Sequence, residues 1–177
     1  MTLEAFKNYA VASQAIATVI SFIIGAIWVY MKYIRQQEKY PHIGFTADIN
    51  FVGKQQGFWI VELIAFIENK GKVQHKINDF AFDLNALYPE DNIDLSQEWG
   101  GQVNFPHLVT KGSFLPRRLS FFFIDPGVKA KYSYITRVPQ KVSFLILHCW
   151  FQYADRRNYG HTAETSIAVP KKDAGTV

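Results

Sequence analysis

A single cysteine in 177 residues excludes an intrachain disulfide framework and any multi-cysteine zinc or iron–sulfur centre. The histidines are His42, His75, His107, His148 and His161. No two of them stand at His-x-His or His-Glu-x-x-His spacing, so the metalloprotease zinc pattern is missing. There is no Gly-x-Gly-x-x-Gly and no Walker-type loop, hence no sequence sign of nucleotide binding. Asp91-Asn92-Ile93-Asp94 lacks the third ligand, the glycine and the distal glutamate of a calcium loop. None of the eight asparagines opens an Asn-x-Ser/Thr acceptor. Strong charge of one sign is absent too: the net charge is +4, with no concentrated basic block. Disorder is excluded by 49% hydrophobic against 19% charged residues. No enzyme activity, metal or cofactor is expected.

What is present is unevenly distributed. From Asn8 to Met31 runs a stretch of 24 residues without a charge. As a helix rising about 1.5 Å per residue it covers about 36 Å, against about 30 Å of bilayer hydrocarbon. Its polar residues, Ser13, Gln14, Thr18 and Ser21, are uncharged, and the hydroxyls can bond back to their own helix. Trp28, Tyr30 and Tyr33 close it as interface aromatics, followed by Lys32, Arg35 and Lys39. A buried helix of a soluble core is the plainer alternative, but no second helical segment exists to cover it. A cleaved signal peptide is the closer rival. It would need small residues after the apolar core, where Met31-Lys32-Tyr33-Ile34-Arg35 stands. An uncleaved anchor over 1–33 is therefore predicted. A polar collar follows at 34–41, ended by Pro41.

Basic residues set the orientation. Lys7 lies on one side of the span, and Lys32, Arg35 and Lys39 on the other, which favours a cytoplasmic C-terminal side. The unpaired cysteine and the missing glycosylation acceptor agree. Within the anchor, Ser13, Ala17, Ser21 and Gly25 recur every four residues, a spacing that lets two helix backbones approach closely. The competing explanation is that such residues are simply common in membrane helices.

From residue 42 the period changes to two. Ile43, Phe45, Ala47, Ile49 and Phe51 alternate with polar or small residues, predicting a half-buried strand and a turn at 53–57. Phe58–Glu68 is apolar on both faces except Glu62, a central strand. Asn69-Lys70-Gly71 predicts a tight turn through positive φ, and Lys72–Leu84 the next strand, making an antiparallel meander. Residues 85–118 are irregular, with a short strand at Gln102–Phe105. Strand character resumes at Leu119–Ile124, Val128–Val138, Lys141–Tyr153 and His161–Val169. These seven or so strands predict an all-β antiparallel, two-sheet immunoglobulin-like sandwich over 42–170. A disordered tail at 171–177 follows.

Pro126-Gly127, then Tyr132, Tyr134 and Pro139, resembles the middle of bacterial immunoglobulin-like modules. The layout as a whole is similar to small bacterial single-span membrane-anchored proteins of uncharacterised function. That likeness is carried by Tyr40-Pro41, Glu68-Asn69-Lys70-Gly71, Asp125-Pro126-Gly127-Val128 and Tyr132-Ser133-Tyr134. It implies an architecture and a place in the bacterial inner (plasma) membrane, and brings no catalytic residues.

Two functional classes remain. The first is a membrane-tethered interaction or scaffold module. Its partner would be the lipid bilayer together with another membrane protein or a second copy. Its working parts would be the Ser13, Ala17, Ser21, Gly25 face and a surface of Glu62, Lys129, Lys131, Tyr132, Tyr134 and Arg137. Glu62 reads either as a carboxylate paired with a neighbouring strand's cation or as a partner contact. The basic–aromatic interleaving at 129–141 suits an anionic membrane, a solvated strand face or nucleic acid, the last being disfavoured. The second class is a small-ligand or lipid-binding domain with a cavity between the sheets, lined by Phe58, Trp59, Phe80, Phe82, Phe144 and Trp150. Cys149 alternates with Leu145, Leu147 and Phe151 and reads as a buried hydrophobe. His148 shares the other face with Phe144, Ile146 and Trp150 and reads as a core or interface histidine.

Overall fold

The structure is a computed structural model describing residues 3–33, 41–96, 100–154 and 156–170. The expected collar at 34–40, the tail at 171–177, and Arg35, Glu38, Lys39 and the Tyr33 ring lie outside the described residues. The chain divides into two units, 1–40 and 41–177. In the first, Leu3–Tyr33 forms helix α1. Its stretch Val11–Lys32 is long and apolar enough to cross a membrane. Phe22, Ile24 and Ile16 are exposed, so the helix buries no stripe against a core of its own. As expected from the sequence, the Thr18 hydroxyl donates to the Gln14 carbonyl and the Ser21 hydroxyl to the Ala17 carbonyl, both at 2.9 Å. The Lys32 ammonium lies 4.5 Å from the centre of the Trp28 ring, one turn earlier.

The second unit is antiparallel β-sheet. Its strands are β1 (Ile43–Gln55), β2 (Phe58–Asn69), β3 (His75–Leu87), β4 (Leu95–Ser96), β5 (Gln102–Val103), β6 (His107–Ser113), β7 (Phe121–Ile124), β8 (Lys129–Pro139), β9 (Phe144–Tyr153) and β10 (Arg156–Ala168). One sheet has the order β1-β2-β8. A five-stranded sheet has the order β10-β9-β3-β6 with β7 also on β3, and β4 pairs β5. The two larger sheets share one core. Phe80 from β3 packs within 6.2 Å of Phe45, Phe114, Phe122, Tyr132 and Phe151, ring centre to ring centre. Fully burying a side chain of that size contributes about 2–3 kcal/mol. The alternation in β1 and β2 follows the sequence pattern. Trp59, Val61, Leu63, Ala65 and Ile67 face the core, and Ile49 meets them from β1.

Three expectations change. The β1–β2 turn is two residues long, Gln56-Gly57, with φ of 50° and 81°. A bulge between Phe51 and Gly53 absorbs the extra residue, and both turn residues take the positive φ that a tight hairpin needs. The meander does not continue: β2 is flanked by β1 and β8, and β3 belongs to the other sheet. The reason is Asn69, which takes no positive φ and is fully buried. Its Nδ2 donates to the carbonyls of Val73 (2.8 Å) and Ile124 (3.1 Å), and its Oδ1 accepts from the Gly71 amide at 2.9 Å. The chain is thereby turned across to the facing sheet. Third, a strand, β6, stands within the stretch 85–118 that the sequence predicts to be irregular. It is an exposed edge strand whose pairing with β3 shifts register between Leu84 and Asn85, so it carries no clean period-two signal.

Candidate functional site

Strand periodicity divides the expected surface in two. Along β8, Lys129, Lys131, Ser133, Ile135 and Arg137 alternate with the inward Ala130, Tyr132, Tyr134, Thr136 and Val138. Tyr132 packs on Phe80 (5.0 Å) and Phe122 (5.1 Å), and Tyr134 on Phe82 (4.7 Å). Burial raises the Tyr132 pKa above its ordinary value. The two tyrosines therefore belong to the core and do not join the cations, because a strand cannot show neighbouring residues on one face. The aromatic partners of those cations come from β2 instead. Lys129 lies 5.6 Å from the Phe66 ring centre and Arg137 lies 4.8 Å from that of Phe58.

Glu62 sits at the middle of this outer face, opposite Asn50 of β1 and Ile135 of β8. Its Oε1 accepts from the Lys131 ammonium at 2.8 Å and from the Ser133 hydroxyl at 2.6 Å. Lys131 first, then Ser133, with Asn50 adding to them, hold its pKa down at about 2. The anomalous charge of the β2 sequence is thus a carboxylate paired with a neighbouring strand's cation. Around it lie Phe58, Ile60 and Phe66, half-buried, and Ile135, 68% exposed.

A second constellation forms on the outer face of the five-stranded sheet. Strand register sets Lys111 opposite Asp83, Asp83 opposite His148, and His148 opposite Glu164. That makes one transverse row across β6, β3, β9 and β10, with directly opposed Cβ atoms about 4.5–5.5 Å apart. Trp150 stands beside His148 with ring centres 5.4 Å apart. The β4–β5 excursion folds over one end of the row. Gln102 Nε2 donates to Glu164 Oε1 at 2.7 Å, and a cavity of about 380 Å³ lies beneath, lined by Ile93, Val103, Phe105, Phe144, Ile146 and Glu164 among others. Asp91 fixes the start of the excursion. Its carboxylate accepts from the Tyr88 amide at 2.7 Å and bonds His107 Nε2 at 2.9 Å, and these contacts, His107 first, lower its pKa. Among the described residues no three His, Cys, Asp or Glu side chains converge as a metal set.

Sequence reasoning missed this row because its successive members lie 28, 65 and 16 residues apart, joined only by strand pairing. The one available signal was the non-apolar His148 on an otherwise apolar strand. The six aromatics expected around an inter-sheet cavity are not brought together. Trp59, Phe80 and Phe82 are in the core. Phe58 lies on the outer face of the three-stranded sheet, and Phe144 and Trp150 on that of the five-stranded one. Cys149 is fully buried, as its alternation indicated, and burial pushes its thiol up to about 12. A thiol in that state is no nucleophile. Near one end of the core, His75, Tyr153 and His161 stack within 5.7 Å of one another in sequence, ring centre to ring centre. Burial first, and His75 second, lower the pKa of His161.

On α1, Ala17, Ser21 and Gly25 line a shallow groove with Gln14, Thr18, Phe22, Ala26 and Val29. Ser13 is not among its lining residues. A Cβ added to Gly25 meets nothing within 4 Å. Because the Ser21 proton is given to Ala17, Ser21 can only accept from a second helix, and close backbone approach is the contribution this face offers.

No protein-family model matches the chain. No curated protein matches it either. Among solved structures, the X-ray structure of a Northeast Structural Genomics Consortium target is similar at 13% identity, covering 72% of this chain and 87% of its own, with a TM-score of 0.45. The crystal structure of an ApaA protein from Bordetella pertussis is similar at 14% identity, covering 76% and 98%, with a TM-score of 0.47. Both are bacterial and β-rich. At those values the likeness supports neither a family nor an activity for this chain.

Proposed function

We propose that this chain is a membrane-tethered interaction or scaffold module, an accessory subunit of a membrane assembly. Its helix crosses the bacterial plasma membrane once, and its β-unit is an immunoglobulin-like sandwich on the cytoplasmic side. The charge-free helix and the basic residues that follow it support the span and its direction. The grouping of β1, β2 and β8 in one sheet and of β3, β9 and β10 in the other supports the immunoglobulin-like reading. The observation that carries the function is the outer face of β2 and β8. There, cations stand over aromatic rings around the Glu62–Lys131 pair and an exposed Ile135 occupies the centre. Arginine, aromatic rings and an exposed apolar side chain grouped on one face are features that recognition surfaces favour.

Purification of the intact chain in mild detergent tests this. A stoichiometric partner, or a defined oligomer, is expected and should be lost in Lys129→Glu/Arg137→Glu. A monomer without a partner, in both wild type and variant, overturns the reading. Protease protection of a C-terminal tag tests the orientation, and digestion from the external side refutes a cytoplasmic domain. In the helix, Gly25→Leu fills the open groove and should weaken cross-linking to its partner; unchanged cross-linking rejects the helix face. The cavity of about 380 Å³ under the β4–β5 excursion favours one second reading, a small-ligand or lipid site on the outside of the five-stranded sheet. A bound lipid or metabolite in the native mass spectrum would support it.

A further inference from the structure

The chain joins β1 through Pro41 and His42, and the strands and loops around that junction form one end of the β-unit. The Lys70 amide donates to the His42 carbonyl at 2.8 Å, placing the β2–β3 connection beside it. The Asn69 amide donates to the Val128 carbonyl at 3.0 Å, and the Gly127 amide to the Asn69 carbonyl at 2.8 Å, placing the β7–β8 turn there as well. This end is rich in lysine: Lys70, Lys72, Lys76 and Lys129. The carboxylates nearby are engaged, Glu68 by Lys70 at 3.8 Å and Asp125 by the Gln74 amide at 2.5 Å.

Beside these lysines the short strand β7 shows a pattern that a soluble domain does not need. Phe122 and Ile124 point into the core. Phe121 and Phe123 point out, 40% and 53% exposed, in edge-to-face contact with ring centres 5.6 Å apart. The Lys76 ammonium rests 3.9 Å from the centre of the Phe121 ring. Val128, in the adjoining turn, is 42% exposed. Paired exposed aromatics with an ammonium group against one ring suit a surface that meets lipid head groups. Rings enter the interfacial layer while cations pair with phosphates.

Covalent connection supplies the second argument. Seven residues, 34–40, separate Tyr33 from Pro41. Seven residues span at most about 25 Å. If α1 is a membrane span, this end of the β-unit is confined to within that distance of the bilayer. We infer that the end of the β-unit carrying Phe121, Phe123, Lys72 and Lys76 docks on a surface of anionic phospholipid. The inference rests on the reading of α1 as an anchor, and it concerns a surface different from the β2–β8 face. It adds a second attachment to the tether.

Because Cys149 is buried and stays protonated, a single introduced cysteine can be labelled selectively. The full chain carrying Val128→Cys, labelled with the environment-sensitive fluorophore NBD, is reconstituted into phosphatidylcholine vesicles with or without phosphatidylglycerol. A second version carries the label at Val52→Cys, at the far end of β1. Docking predicts a blue shift and loss of access to an aqueous quencher at position 128 only, and only with phosphatidylglycerol. Lys72→Glu/Lys76→Glu and, separately, Phe121→Ser/Phe123→Ser should each reverse the shift. Equal quenching at 128 in both vesicle types overturns the inference, and so does an equal shift at 52. Alkaline-resistant flotation of the unlabelled chain with phosphatidylcholine vesicles reports on the anchor separately. A chain that floats without the shift refutes docking alone. One that floats only with phosphatidylglycerol and shows the shift supports docking and refutes the anchor. A chain that floats with neither refutes both.

Discussion

Replacing Asn69 with alanine deletes one fully buried side chain and strands three backbone groups. The Ile124 carbonyl and the Gly71 amide lose partners inside the protein, and the Val73 carbonyl loses one in a partly buried position. Leaving a buried polar group unsatisfied costs about 1–3 kcal/mol, and less where water reaches it, so the sum is about 3–4 kcal/mol. With a urea dependence of about 2 kcal/mol per molar, the unfolding midpoint should fall by about 1.5–2 M. The measurement is a urea titration of the intact chain in mild detergent, followed through tryptophan fluorescence. Gln74→Ala is the control, because it removes an exposed hydrogen bond to Asp125 and should cost about 0.5 kcal/mol or less. Asn69→Asp sharpens the test. It keeps the acceptor for Gly71 but turns a carboxylate toward two carbonyl oxygens, so its folded-state pKa rises above the unfolded value of about 3.9. The variant is therefore least impaired below that unfolded value. Its deficit grows as pH rises and is complete above the folded pKa. An Asn69→Ala midpoint indistinguishable from that of Gln74→Ala would refute the role assigned to this residue.

Three further outcomes follow from the same geometry. The folded-state pKa of Glu62 lies near 2, below its unfolded value, so its stabilising effect is present above the unfolded pKa and fades as pH falls toward 2. The gap in melting temperature between wild type and Glu62→Gln should accordingly shrink on acidification, and a gap constant with pH contradicts the Lys131 and Ser133 contacts. Cys149 should resist maleimide in the folded chain at neutral pH and react promptly in denaturant; rapid labelling of the native protein refutes its burial. At Gly160 an added Cβ would lie 2.1 Å from the Phe151 carbonyl oxygen, so Gly160→Ala must push β10 off β9. Overpacking of this kind costs about 1–3 kcal/mol, and a melting temperature unchanged from wild type would sink the predicted clash.

Local patterns in the chain announced a good deal of this architecture. A 24-residue stretch without charge can be read as a helix with no fold in hand, because the period and the absence of charge are properties of neighbours in sequence. The alternation of Ile43 to Phe51 and the fully apolar middles of β2 and β9 are equally local. So is the burial of Cys149, which follows from the residues two before and two after it. Turn chemistry was less transparent. The Asn69-Lys70-Gly71 pattern predicts a backbone bend at Asn69, but the residue acts through its side chain, on a carbonyl 55 residues away.

Tertiary structure alone decided which faces meet and which side chains share a surface. Lys129, Lys131 and Arg137 read as companions of Tyr132 and Tyr134, yet the pleat sends the tyrosines inward, and pairing with β2 supplies Phe58 and Phe66 in their place. The row from Lys111 through Asp83 and His148 to Glu164 exists only because β6, β3, β9 and β10 lie side by side in one register. The exposed Phe121 ring gains the Lys76 ammonium in the same way, through the pairing of β7 with β3. Strand identity depends on a period of two along one segment, which the order of residues records. A surface depends on hydrogen-bonded registry between segments far apart in sequence, and a slip of one residue in that registry exchanges the two faces.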